Sequence, residues 1–77
     1  MSGLTPVNFI DVVRVLMNHG FLMVGRDYGH VRLQRETIDG QTRLIIPEND
    51  MLKAETLSQI IRYSGLSVNE FEGILEY

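Results

Sequence analysis

Residues 30–46 read HVRLQRETIDGQTRLII, two runs of alternating apolar and polar residues on either side of Asp39-Gly40. The period of two puts Val31 and Leu33 on one face of a strand and His30, Arg32 and Gln34 on the other. Both central positions of a type I′ turn need positive φ, which Asp and Gly tolerate best, so Asp39-Gly40 predicts the tip of a hairpin. In that register Ile38 pairs with Gln41, Glu36 faces Arg43, Gln34 faces Ile45, Arg35 faces Leu44 and Leu33 faces Ile46. Val31, Leu33, Leu44 and Ile46 then share the buried face, and His30, Arg32, Gln34, Glu36 and Arg43 share the other. The exposed Glu36 and Arg43 pair adds only about 0 to 1 kcal/mol.

Upstream of this hairpin, Phe21 to Val24 are apolar strand formers, and Gly25-Arg26-Asp27-Tyr28-Gly29 supplies a turn into the second strand. Before them a helix is predicted. Thr5 is its expected N-cap, Pro6 suits its first position, Phe9, Ile10, Val13, Leu16 and Met17 recur at helical spacing, and Gly20 ends it. His19 falls where a partly positive side chain favours a helix C-terminus, a structural role. Downstream, Pro47 stops the third strand, and Leu57, Ile60 and Ile61 mark a second helix that Gly65 terminates. Ser67 and Glu70 have the spacing of a capping box and Leu66 and Phe71 that of a hydrophobic staple, so a short last helix is expected over Val68 to Glu76, docked by Phe71, Ile74 and Leu75. Residues 1–77 thus form a single α+β domain, helix, three strands, helix, short helix, with one antiparallel sheet covered by helices on a single face.

A chain of 77 residues buries only about 60% of the surface its unfolded form exposes, which makes stability marginal and favours a partner that binds the folded state. No run approaches the roughly 20 apolar residues of a membrane span, and the N-terminus lacks the regions of a signal peptide, so a cytoplasmic location away from membranes is expected. Cysteine is absent and the two histidines are separated, which argues against disulfides and against thiolate or His-rich metal centres. Net charge is −3, which opposes strong sequence-independent attraction to nucleic acid. The distribution is uneven: Arg26, Arg32, Arg35 and Arg43 outnumber Asp27, Glu36 and Asp39 around His30. By contrast, Glu48, Asp50, Glu55, Glu70, Glu72 and Glu76 outnumber Lys53 and Arg62 in the C-terminal third.

The stretch Gly20 to Leu33, GFLMVGRDYGHVRL, resembles the HicA family of toxin ribonucleases, in which Gly-Phe precedes a histidine at this spacing and a hydrophobic strand follows. Further points of similarity run in order from the helix near Val7 through His30-Val31-Arg32-Leu33, Ile46-Pro47 and Thr56-Leu57 to Gly65-Leu66-Ser67, nearly the whole chain. The resemblance implies an α-β-β-β-α fold like that of double-stranded RNA-binding domains. It also implies a cofactor-free, metal-independent endoribonuclease, an mRNA interferase of a toxin-antitoxin stress response. Such a toxin cleaves messenger RNA, is held inactive by a HicB-like antitoxin protein, and uses the histidine at position 30. The chain departs from the family at Asp27-Tyr28-Gly29, where members often carry a basic residue, glycine and serine, and at Glu55, which replaces a glycine before Thr-Leu.

Metal-free RNA cleavage needs a group to take the proton from a ribose 2′-hydroxyl as it attacks the adjacent phosphorus, and imidazole suits that task near neutral pH. His30 is the expected general base. Arg32 on the same strand face, Arg26 in the adjoining turn and Arg43 on the third strand are the expected phosphate-binding cations. No second acid is evident for the leaving 5′-oxygen, which leaves water or His30 itself. Tyr28 at a turn tip reads first as an ordinary exposed turn residue and only second as one that stacks on a base. The net acidity motivates an alternative, a non-catalytic protein- or RNA-binding module on the same fold. The open sheet face suits an antitoxin docked over His30 and is compatible with a homo-oligomer.

Overall fold

The computed structural model describes residues 7–49 and 51–71. Its elements follow the order α1 (Phe9–Asn18), β1 (Leu22–Asp27), β2 (His30–Thr37), β3 (Gly40–Pro47), α2 (Ala54–Ser64) and a short 3₁₀ helix (Val68–Phe71). The three strands form one antiparallel sheet in the order β1-β2-β3, which is the α-β-β-β-α order expected.

Helix α1 begins later than the sequence suggests. Val7 and Leu52 form an isolated antiparallel bridge, which holds the chain extended and leaves the cap to Asn8, whose Oδ1 accepts from the Ile10 N–H at 2.8 Å. The anticipated Thr5 and Pro6 lie outside the described residues. Val12, Val13 and Leu16 face inward and pack with Val31, Leu33, Leu44 and Ile46 of the sheet and Leu57, Ile60 and Ile61 of α2 in one core.

The first hairpin differs from expectation in extent. Strand β1 runs on through Gly25, Arg26 and Asp27 to pair Asp27 with His30, leaving only Tyr28 (φ +48°) and Gly29 (φ +82°) at the tip. Two consecutive positive φ values are what a type I′ turn requires. An irregularity between Met23 and Gly25 inserts Val24 as an extra residue, a bulge that bends this edge strand.

In the second hairpin the register is two residues off the expected one: Thr37 pairs with Gly40, Glu36 with Gln41, Gln34 with Arg43 and Leu33 with Leu44. The tip is therefore Ile38-Asp39. Among the described residues Tyr28 is the only non-glycine with positive φ, so Asp39 does not take the conformation a type I′ turn at Asp39-Gly40 demands. Because side chains alternate with a period of two, a slip of two leaves every residue on its predicted face, and Val31, Leu33, Leu44 and Ile46 are buried as anticipated. The cross-strand partners do change. Glu36 accepts from Gln41 at 2.8 Å and Arg43 donates to Gln41 at 3.2 Å, in place of the Glu36 to Arg43 ion pair.

Arg35 lies opposite Thr42 on the helix-covered face, where it joins the ends of both helices. Its Nη1 donates to the carbonyl of His19, the C-cap of α1, at 3.1 Å, and its Nη2 donates to that of Ser64, the last residue of α2, at 3.0 Å. The guanidinium carbon stands 4.8 Å from the centroid of the Phe21 ring. A cation here meets the partial negative charge of two helix C-termini at once. His19 serves the same region, with Nδ1 3.0 Å from the Val15 carbonyl and Nε2 3.5 Å from the Glu70 carboxylate.

The last element is a 3₁₀ turn over Val68–Phe71; the remainder of the helix expected to Glu76, with Ile74 and Leu75, lies outside the described residues. The capping pair is present: the Ser67 N–H donates to Glu70 Oε1 at 2.7 Å and the Ser67 hydroxyl to the same oxygen at 3.2 Å. That backbone N–H above all holds the Glu70 carboxyl below the usual carboxylate range; desolvation opposes it, and the Ser67 hydroxyl, His19 and Arg35 each add a smaller lowering effect. Phe71 is fully buried and Leu66 packs half-buried against the same core, the two members of the anticipated staple. Among the described residues no helix is long and apolar enough to cross a membrane.

Candidate functional site at the open end of the sheet

His30 is the first residue of the central strand, flanked by Asp27 on β1 and Pro47 on β3, and its side chain is exposed. Its Nδ1 lies 3.2 Å from the Tyr28 carbonyl oxygen. A carbonyl only accepts, so this contact puts the ring hydrogen on Nδ1 and leaves the lone pair of the neutral imidazole on Nε2. The tight Tyr28-Gly29 turn thus offers the ring that follows it an acceptor that suits the Nδ1–H tautomer.

Arg32 is the next residue on the same face, roughly 7 Å along the strand. His30, Arg32, Asp27 and the exposed Ile45 line one shallow depression of about 310 Å³. Here a proton acceptor, a cation and an apolar floor converge, the components needed to hold a phosphodiester and take a proton from a neighbouring hydroxyl. Among the described residues no carboxylate lies within ion-pairing distance of Arg32. Nor does any group of three or more His, Cys, Asp or Glu come close enough to hold a metal ion.

The other arginines of the 26–43 stretch are dispersed. Arg26 pairs with Val31 in the β1-β2 register and so belongs to the helix-covered face, where it borders an apolar hollow with Phe9, Ile10 and Val13. Its Nε donates to Glu48, and that bond, reinforced by the carboxylate charge, raises the affinity of the guanidinium for its proton. Arg35 is committed to the helix ends. Arg43 shares His30's face but lies four residues along β3 from Pro47, roughly 13 Å away at about 3.3 Å per residue, and borders a groove against α2. Of the three cations expected to serve a phosphate, the structure brings only Arg32 together with His30.

Three contributors escaped the sequence reading. Asp27 was visible as a nearby negative charge, but its position directly opposite His30 follows from the length of β1. Ile45 follows from the shifted register, which puts it opposite Arg32. Gly25 was read as part of a turn; it is a strand residue facing Arg32, and glycine inside a strand is a signal of close approach by another group.

Tyr28 adds a fourth feature. It is 97% exposed with φ +48°, a conformation that costs a non-glycine residue about 1 kcal/mol or more. The strain is the cost of the tight first hairpin, whose type I′ turn needs positive φ at both central positions. Tyr28→Asn is expected to raise stability by about 0.5–1 kcal/mol, because Asn tolerates this region. Urea titration of the two proteins checks this.

Compared with known proteins, the chain matches no family model and no curated protein.

Proposed function

We propose that this protein is a HicA-like toxin, a metal-independent endoribonuclease that cleaves messenger RNA in the cytoplasm and is neutralised by a HicB-like antitoxin. The observation that carries this reading is His30, exposed at the open end of the sheet, with Nδ1 committed to the Tyr28 carbonyl and Arg32 in the same depression.

In this reading Nε2 of His30 takes the proton from a ribose 2′-hydroxyl. The 2′-oxygen attacks the adjacent phosphorus, the bond from phosphorus to the 5′-oxygen breaks, and the leaving oxygen receives a proton from water or from the imidazolium just formed. The products are a 2′,3′-cyclic phosphate and a free 5′-hydroxyl. Arg32 donates to the non-bridging oxygens as negative charge gathers on them. The antitoxin would cover the open face and with it His30.

Growth and RNA integrity after induced expression, with soluble protein matched, test the proposal. Wild type is expected to arrest growth and to leave fragments ending in cyclic phosphate, while His30→Ala does neither. Intact RNA in both cultures would remove the ribonuclease reading. A second reading has an observation of its own: Asp27 faces His30 across the strands and Glu48 ties up Arg26, so the open end carries little net positive charge. This favours a module that binds a protein partner without cleaving RNA, and its affinity would be indifferent to His30→Ala.

A further inference from the structure

Gly25 sits inside β1 directly opposite Arg32 on the open face. It does not take positive φ, so its backbone is one any residue adopts, and the absence of a side chain needs another reason. A Cβ at this position would lie 2.7 Å from Nε and 2.8 Å from Cζ of Arg32, far inside the roughly 3.5 Å of normal heavy-atom contact. The guanidinium occupies the volume that a side chain at position 25 would fill. Glycine in a strand costs roughly 0.5–1 kcal/mol relative to alanine, and β1 carries it at the position that faces Arg32. Among the described residues Arg32 has neither a side-chain hydrogen bond nor an ion pair to direct it, and the space over Gly25 is where its guanidinium lies.

We propose that Gly25 is a positioning residue: the notch it leaves in β1 lets the Arg32 guanidinium lie across the sheet, on the depression it shares with His30, where it meets the phosphodiester of a bound RNA strand. This assignment rests on the ribonuclease reading for its substrate. The packing of Arg32 on Gly25 does not depend on that reading. Adding one methyl group at position 25 leaves every catalytic atom in the chain and moves only the cation.

The test compares wild type, Gly25→Ala, Arg32→Ala and the double variant. Cleavage of a single-stranded mixed-sequence oligoribonucleotide is expected to fall about ten- to a hundredfold in Gly25→Ala, and the substitution is expected to change nothing further once Arg32 is alanine. Affinity for the 2′-O-methyl form of that oligonucleotide, which lacks the attacking hydroxyl, should follow the same pattern. Equal losses from Gly25→Ala in the presence and absence of Arg32 would overturn the proposal. The NMR resonance of the Arg32 Nε–Hε group separates this result from the fate of the ribonuclease reading. If wild type cleaves no RNA that reading fails, while displacement of the resonance in Gly25→Ala still supports the positioning role and an unmoved resonance overturns it. Should Gly25→Ala fail to fold, recovery of the fold by adding Arg32→Ala supports the notch, and failure to recover shows a backbone demand for glycine and overturns it.

Discussion

His30→Ala is expected to lower the rate of RNA cleavage by about 10²- to 10⁴-fold, the span ordinarily lost with a general base, while leaving the fold intact. The structural half of this expectation follows from exposure. Among the described residues the imidazole makes one hydrogen bond, to the Tyr28 carbonyl, and it is exposed, so its loss falls within the roughly 0.5 kcal/mol of an ordinary surface substitution. The carbonyl it leaves is at a turn open to water. A fall in activity therefore cannot be assigned to unfolding, which makes this variant more informative than one at a buried position.

The chemical half depends on which step the imidazole serves. Removing the base leaves Arg32 in place, so binding of an uncleavable 2′-O-methyl oligonucleotide should persist while the rate at saturating substrate collapses. Arg32→Ala should weaken both. Single-turnover cleavage with purified protein distinguishes the two patterns. Equal rates for wild type and His30→Ala in preparations freed of host nucleases would place the chemistry elsewhere or nowhere in this chain.

The route from sequence to site succeeded wherever periodicity alone decided. Alternation assigned Val31, Leu33, Leu44 and Ile46 to the buried face and His30, Arg32, Gln34, Glu36 and Arg43 to the other, and both sets survived a register error because that error was even. What alternation cannot decide is where a hairpin turns. Asp39-Gly40 is the stronger dipeptide signal, yet the type I′ geometry forms at Tyr28-Gly29, where an aromatic residue accepts positive φ. Turn preferences are worth about 1 kcal/mol and yield to the packing of four core residues against two helices. Misplacing the first turn in turn hid the site. With β1 ended at Val24, Arg26 and Asp27 are loop residues free to reach His30; with β1 extended, Arg26 crosses to the far face and Asp27 takes the strand position opposite His30. Four arginines close in sequence looked like a cation cluster, and strand alternation distributes them over two faces and both ends of the sheet.

Arg35 shows how much of that apparent cluster is architecture. Arg35→Ala is expected to destabilise the fold by about 3 kcal/mol, and the individual magnitudes show why the figure is large but not larger. Hydrogen bonds from a charged donor are worth about 1.5–3 kcal/mol each, and Arg35 makes two, to the His19 and Ser64 carbonyls. Its position over Phe21 adds about 0.5–1 kcal/mol. Against this, its Nε is buried without a partner, a cost of about 1–3 kcal/mol that alanine relieves. For a chain of 77 residues total stability is about 4–12 kcal/mol, so the loss is a quarter or more of what holds the domain together. In urea, with a slope of about 1 kcal/mol per molar, the unfolding midpoint should drop by about 3 M. Arg35→Lys should fall nearly as far, because a single ammonium cannot span two helix ends that a planar fork reaches together. Arg35→Met, which keeps the stem over Phe21, should recover part of the loss. The site supplies the control: Arg35 lies on the helix-covered face, so the fraction of Arg35→Lys that remains folded should cleave RNA at the wild-type rate. A lowered rate in that folded fraction would mean that the cation acts on RNA as well as on the helices, while a midpoint unmoved by Arg35→Ala would mean that the two helix ends are held by the core alone.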